Sequence, residues 1–339
     1  MAKMTFGFEI ECGGLPTEEK IREVMETVDS IRYGGHFRYK GGNAQYGLRS
    51  SERGMGNLWV SENDCSLSGM VGPINRGHEV ISPVLEGEAG LQQARQVMKA
   101  LAKANCKVNK QTALHVHLGV RNTSARFRRM GKASQAQAIT RIVDAYDYFM
   151  DEGFNALVAA SRRPGHPNAS SYAKAIVNRN SFGLATKSKA QDVVRHGVGR
   201  GVLNIANFQT YGSIEFRQHN GTLNGHKITT WAKLMHRLVS WACTQEHPNF
   251  KCDLRNFSPD FYGLMSMLQV NDELLRALVA RKDEVNMVPH RANRYAQAYL
   301  DFQTGLGQCD DQFEANHSHL TGGWVACGDD FGAPFGVDA

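Results

Sequence analysis

The chain has 339 residues, of which 42% are hydrophobic and 21% are charged, and its formal net charge is +6. This length and composition are typical of soluble globular proteins and can supply one large domain or two smaller ones. The charge suits an anionic ligand such as a nucleotide but is too small to indicate nucleic acid, and no run of eighteen apolar residues predicts a membrane span.

Strands and helices are predicted from the spacing of apolar residues, since alternation indicates a strand and a period of three to four residues a helix. In chain order we predict a strand over 4–12, a helix over 16–31, strands over 58–64 and 77–84, a helix over 86–105, a strand over 112–120, a helix over 134–162, strands over 201–208 and 212–219, a helix over 227–245 and helical structure over 258–302. The two strands between 201 and 219 are separated by a short turn and predict a hairpin. This order indicates an α+β fold with one mainly antiparallel sheet and helices inserted between its strands.

The cysteines, the N-terminus and one long loop give further information about the cellular location and the loop structure of the chain. The seven cysteines are scattered and form no CxxC pair, which favours reduced thiols and a cytoplasmic location. The N-terminus shows no secretory signal pattern. A Gly-rich, basic and aromatic loop is predicted over 33–57, and loops of this length are usually functional or disordered.

Ionisable side chains recur on one face of four predicted strands, where a core would need apolar residues. Three strands carry them at i, i+2 spacing, which places both members of a pair on the same face. Taken alone, each pair is typical of a solvated face or of cross-strand ion pairs. If the strands are neighbours in one sheet, these faces form a single cluster. Its members are Glu9, Glu11, Glu79, His115, His117, Glu215, Arg217 and His219.

A cluster of this kind needs a compensating positive charge, because neighbouring carboxylates repel one another. Mg²⁺ prefers oxygen ligands and shares its coordination shell with substrate phosphates, while Mn²⁺ also accepts imidazole. Arg217 would be a fixed positive group for phosphate oxygens. The sequence contains no GxxxxGK[ST], GxSxG or HExxH motif. A zinc hydrolase built on His115 and His117 remains an alternative.

Six motifs in the same order resemble the putative amidoligase family. They are FGFEIEC (6–12), WVSENDCSL (59–67), HEVISPVL (78–85), TALHVHLGV (112–120), RGVLNIANF (200–208) and YGSIEFRQHNGTLN (211–224). The family is part of the glutamine synthetase and glutamate–cysteine ligase superfamily of carboxylate–amine ligases. The resemblance extends from residue 4 to about residue 245.

The resemblance implies a glutamine synthetase catalytic-domain-like fold, with a curved, mainly antiparallel sheet, helices on its convex face and a helical C-terminal region. On this basis residues 1–250 form the catalytic domain, 251–305 a helical extension packed on it and 306–339 a Gly- and Asp-rich tail. The first predicted metal strand begins near residue 6 and no β-grasp pattern is recognised before it, so ammonia specificity and a dodecameric assembly are not expected.

The implied activity is an ATP-dependent carboxylate–amine ligase that uses Mg²⁺ or Mn²⁺. A carboxylate attacks the γ-phosphate of ATP to give an acyl phosphate and ADP, and an amine then displaces phosphate to form an amide or isopeptide bond. The partners are small-molecule or peptide carboxylates and amines, and the oligomeric state, including a homo-oligomer, stays open. A phosphotransferase, an inactive nucleotide-binding module of the same fold and a metal-dependent hydrolase are the alternatives.

The resemblance also implies roles for individual residues. Glu9 and Glu11 resemble a pair of glutamates that bind two different metal ions. Glu79 would bind the same ion as Glu11, and His115 and Glu215 would bind the same ion as Glu9. The implied metal ligands are thus Glu9, Glu11, Glu79, His115 and Glu215; the catalytic residues are Arg217, Arg200 and Glu215; the nucleotide contacts are His117, Arg217, Asn204 and Arg200; and the substrate contacts are Asp64 and Ser66.

Overall fold

The computed structural model describes about half of the chain. The described residues are 5–13, 38–40, 59–64, 67, 77–120, 127, 131–167, 169, 201–205, 208, 211–244 and 254–286. Several predictions lie outside them. These are the helix over 16–31, most of the 33–57 loop, Ser66, Arg200, residues 287–302 of the helical region and the tail over 306–339.

Eight strands and five α-helices are present in the described residues. The strands are β1 (Thr5–Cys12), β2 (Arg38–Lys40), β3 (Val60–Asp64), β4 (Gly77–Ile81), β5 (Leu85–Glu86), β6 (Ala113–Gly119), β7 (Leu203–Asn204) and β8 (Ser213–Asn220). The helices are α1 (Gly87–Lys103), α2 (Lys132–Tyr148), α3 (Gly225–Thr244), α4 (Phe261–Leu268) and α5 (Asp272–Val285).

The strands form one open sheet with the order β2-β3-β4-β1-β6-β8-β7, and β5 pairs with β1. β1 pairs antiparallel with β4, β3 with β4 and β7 with β8, whereas β2 and β3 are parallel. The predicted α+β class with a mainly antiparallel sheet is therefore confirmed. None of the helices in the described part of the chain is both long and apolar enough to cross a membrane.

The strand β1 is buried on both faces. Phe6, Phe8 and Ile10 are 0–2% exposed, as the alternation predicted for the apolar face. Glu9 and Glu11 on the other face are only 9% and 7% exposed. A solvated polar face is therefore excluded for this strand, and its carboxylates need partners inside the protein.

The predicted helix over 134–162 ends earlier than expected, and its last part was predicted wrongly. After α2 the backbone N–H groups of Gly153 and Phe154 both donate to the carbonyl of Phe149, at 3.0 and 2.9 Å. Gly153 fits this turn because a Cβ there would lie 2.6 Å from the Phe149 oxygen. Two 3₁₀ turns, Asn155–Leu157 and Ala160–Arg162, take the place of the expected helix.

Two compact units are distinguished by their internal contacts. The described residues of the first unit lie within 5–6, 115–219 and 231–278. Within it, the ring of Tyr146 on α2 stacks on Phe154 at 4.1 Å and lies 5.7 Å from the ring of Phe216 on β8. The hydroxyl of Tyr146 donates to Gln218 at 2.7 Å, and the Gln218 amide donates to Asn155 at 2.7 Å. This buried polar network is thus satisfied beneath β8.

The described residues of the second unit lie within 7–114, 220–230 and 279–286. It contains the β1–β4 and β3–β4 pairs and the helix α1, whose inner face includes Leu91, Val97 and Leu101 at 0–1% exposure. At the start of α3, the side chain of Asn224 accepts the backbone N–H groups of residues 226 and 227 at 2.9 and 3.2 Å. This contact caps the helix N-terminus.

A pH-dependent contribution to stability arises on α2. Burial, with a further contribution from the Asp147 carboxylate, raises the pKa of Asp144 to about 7. The native state then binds a proton more tightly than the unfolded state, so this group's contribution to stability is lost as the pH rises towards 7. The free energy of unfolding of Asp144→Asn, measured in urea relative to that of wild type, is expected to rise by on the order of 2 kcal/mol from about pH 5 to about pH 8. The exposed Asp151 is the control, and an equal gain for Asp151→Asn would contradict the assignment.

Candidate metal and nucleotide site

A row of glutamates crosses three neighbouring strands. The register of β1 and β4 places Glu11 opposite Glu79, and the register of β3 and β4 places Glu62 opposite Glu79. Glu62 was not among the predicted site residues, although its position two residues before Asp64 in the same strand could have indicated it. The sequence could not supply the register that aligns these three positions.

Glu11 is anchored by the backbone at the start of β6. Its Oε2 atom accepts a hydrogen bond from the N–H of Ala113 at 2.7 Å. This buried contact satisfies one carboxylate oxygen and links the C-terminal part of β1 to the first residue of β6. Glu11 therefore has a structural contact in addition to the metal role predicted for it.

Glu215 on β8 is contacted by three different side chains. Its Oε2 atom accepts a hydrogen bond from the Asn204 amide at 2.8 Å. Its Oε1 atom is hydrogen-bonded by the Arg217 guanidinium and lies 3.5 Å from Nδ1 of His115. The side chains of Glu215 and His115 are 3% and 4% exposed, whereas that of Arg217 is 26% exposed. A buried carboxylate is thus paired with a guanidinium that solvent or a ligand can reach.

Two groups of side chains have the composition and spacing of a metal site. Glu9, Glu79 and His115 form one group, and Glu9, His117 and Glu215 form the other. In each group the three ligand atoms lie within 4.8 Å of one another. Glu9 is common to both groups. Glu9, His115 and Glu215 are buried, and Glu79 and His117 are half-buried. These carboxylates and imidazoles could bind a metal, and the oxygen-rich donor set is compatible with Mg²⁺ or Mn²⁺.

The structure describes nine of the eleven predicted site residues. Five belong to the two possible metal groups, namely Glu9, Glu79, His115, His117 and Glu215. Asn204 and Arg217 contact Glu215, and Glu11 contacts the backbone of Ala113. Asp64 lies in β3 opposite Gly77. Of the ionisable residues on the polar face of β8, His219 is buried with its ring 5.2 Å from that of Trp231.

The fold and these groups define an α+β protein with buried and half-buried carboxylate and imidazole groups that could bind a metal. Residues 2–147 match the sequence profile of a family described as "Putative amidoligase enzyme". The predicted resemblance to this family is therefore confirmed over residues 2–147, and it supports a ligase-type enzyme. No curated protein matches the chain.

Proposed function

We propose that this protein is an ATP-dependent carboxylate–amine ligase that forms amide or isopeptide bonds through an acyl phosphate, with Mg²⁺ or Mn²⁺ at the site. The main support for the proposal is the overlap between the residues that match the family and the residues of the two possible metal groups. Four of the five residues in the two possible metal groups, Glu9, Glu79, His115 and His117, lie within the matched residues 2–147. The remaining one, Glu215, brings the contacts with Arg217 and Asn204.

The donor set fits a hard divalent cation. Buried carboxylates close to one another are unfavourable unless a positive charge compensates them, and most of the donors here are carboxylates. Glu9, Glu79 and His115 would hold one ion, and Glu9 with His117 and Glu215 a second. Such ions, when bound, neutralise and orient the phosphate oxygens of ATP.

The chain's own residues would then control phosphoryl transfer and amide formation. Arg217 would neutralise the negative charge that develops on the transferred phosphoryl group. The carboxylate oxygen of the first substrate bonds to the γ-phosphorus and ADP leaves. The nitrogen of the amine then bonds to the acyl carbon, phosphate leaves and the amine loses a proton. Asn204 would hold the Glu215 carboxylate in one orientation through both steps.

The remaining residue assignments belong to the same proposal. Glu11 is a further metal ligand, Arg200 binds phosphate or the substrate carboxylate, and Asp64 and Ser66 contact substrate. The proposal includes the glutamine synthetase-like form of the fold and the domain divisions at about residues 250 and 305. The substrates are a small-molecule or peptide carboxylate and an amine. The proposal also includes a reducing, cytoplasmic setting; the thiols of Cys12, Cys106 and Cys243 are buried.

The activity can be tested by supplying ATP and Mg²⁺ with pooled carboxylates and pooled amines and measuring ADP release. We expect release only when ATP, a carboxylate and an amine are all present, because the acyl phosphate turns over when an amine consumes it. A coupled product carrying both substrates should appear by mass spectrometry in a 1:1 ratio with ADP.

Each alternative function gives a different result in the same assay. A phosphotransferase would release ADP independently of the amine and yield a stable phosphorylated product. A nucleotide-binding module would bind ATP without releasing ADP. A metal-dependent hydrolase would cleave a substrate without ATP. Any of these three results would overturn the ligase proposal.

A further inference from the structure

The two oxygens of Glu215 have different kinds of partner. Oε2 accepts from Asn204, a neutral amide, at 2.8 Å. Oε1 is contacted by the Arg217 guanidinium, and His115 lies 3.5 Å from the same atom. A carboxylate has about four lone-pair directions, and a guanidinium on one oxygen occupies directions that a metal ion would also use. The cationic partner therefore lies on Oε1 alone.

We propose that Arg217 is a placeholder for a metal ion at Glu215, and that a nucleotide phosphate draws Arg217 away when metal and nucleotide bind together. The inference rests on the proposed function. Without a metal, Arg217 supplies the positive charge that the buried Glu215 carboxylate requires. A cation arriving at Glu215 meets the guanidinium as a like charge, so binding of the metal alone is opposed.

The exposed fractions of the Glu215 and Arg217 side chains indicate that Arg217 is the residue that moves. The Glu215 side chain is 3% exposed and is also held by Asn204, while the Arg217 side chain is 26% exposed. Arg217 can therefore exchange its partner, whereas Glu215 stays in place. A phosphate offers the guanidinium an equally good or better set of hydrogen bonds, because arginine binds phosphate oxygens in a bidentate manner.

The consequence is a thermodynamic coupling between metal and nucleotide. A nucleotide that removes Arg217 from Glu215 strengthens metal binding, and by linkage the metal strengthens nucleotide binding by the same factor. Asn204 acts differently, as a positioning residue. It contacts the other oxygen and contributes no charge, so it should favour metal binding whether or not nucleotide is present.

The test is Mn²⁺ binding, measured from the electron paramagnetic resonance signal of the free ion, with and without a non-hydrolysable ATP analogue. Without nucleotide, Arg217→Ala should bind Mn²⁺ about 10-fold more tightly than wild type, within the range usual for coupled sites. With the analogue, Mn²⁺ affinity should rise in wild type and rise much less in Arg217→Ala. Asn204→Ala should bind Mn²⁺ more weakly in both conditions.

A matched control and a second variant make the outcome decisive. Arg276 is exposed on α5, so Arg276→Ala removes the same charge away from Glu215 and should leave Mn²⁺ affinity unchanged. If Arg217→Ala is poorly folded by circular dichroism, Arg217→Gln removes the charge while keeping an amide donor, and it should show the same tightening.

Equal or weaker Mn²⁺ binding by the folded Arg217 variants without nucleotide would overturn the placeholder role. That result would leave the ligase proposal standing, because amine-dependent ADP release tests it separately. If wild type binds no Mn²⁺ under either condition, the placeholder role and the metal part of the proposed function both fail.

Discussion

Replacing Glu9 with glutamine is expected to lower amine-dependent ADP release by at least about 100-fold and to weaken Mn²⁺ binding to a similar degree. Loss of an outer partner of a metal ligand alone costs about 10–100-fold, and Glu9 would itself be a ligand. It is also the one residue common to both possible metal groups. Glutamine keeps the size and one carbonyl oxygen but removes the negative charge, so the effect on folding should be small.

The control for Glu9→Gln is the same change at Glu273, an exposed residue in the first turn of α5. Glu273→Gln should retain wild-type turnover and metal affinity. Glu79→Gln affects only one of the two groups and should leave part of the Mn²⁺ binding intact. Turnover of Glu9→Gln within a few-fold of wild type, in a protein with a wild-type melting curve, would remove Glu9 from the metal site.

Replacing Glu284 with alanine is expected to destabilise the protein by about 3–5 kcal/mol in urea unfolding, because it would leave two buried cations without their carboxylate. One Glu284 oxygen lies 2.5 Å from Nζ of Lys227, and the other accepts from Arg281 at 2.8 Å. Arg281 also donates to the Asn220 side chain at 2.7 Å. The Glu284, Lys227 and Arg281 side chains are 0%, 6% and 7% exposed.

This network connects the end of β8 and the first turn of α3 with the end of α5. Lys227 lies near a helix N-terminus, where a positive charge is unfavourable, so Glu284 has an added compensating effect there. Adding Lys227→Met to the Glu284→Ala variant should recover part of the lost stability, because it removes one of the unpaired charges.

The control for the Glu284 network is the exposed Glu88–Arg95 pair, in which the Glu88 side chain is 63% exposed. Glu88→Ala should change the free energy of unfolding by less than about 1 kcal/mol, as is usual for surface ion pairs. A similarly small change for Glu284→Ala would mean that the buried network contributes little to stability. Amine-dependent ADP release, measured well below the unfolding transition, should be nearly the same in Glu88→Ala and wild type.

Local periodicity was sufficient to predict most of the regular elements that the structure describes. The alternation in TFGFEIEC and in SIEFRQHN gave β1 and β8 within about a residue of their observed bounds. The helix before Phe149 was predicted well, but its end was not. That end depends on a Phe149 carbonyl turned toward Gly153 and Phe154, and apolar spacing carries no information about such a turn.

The amino-acid sequence specifies which residue types occupy the polar faces, and therefore the hard-metal and phosphate chemistry that these faces can support. It also contains the amidoligase family motifs, which can be recognised from their residues and their order without knowing how the strands pair. Strand alternation is a local property, so the i, i+2 carboxylates and imidazoles could be recognised from the chain alone.

Which of these residues come close together depends on strand pairing and register. Pairing and register bring Glu62 opposite Glu79, and the ligand atoms of Glu9 close to those of both histidines. The structure likewise decided that Asn204 and Arg217 contact different oxygens of Glu215. Register depends on contacts between segments far apart in sequence, and a shift of one residue would reverse every face. The residue types are thus encoded locally, whereas the candidate site depends on the pairing of distant strands.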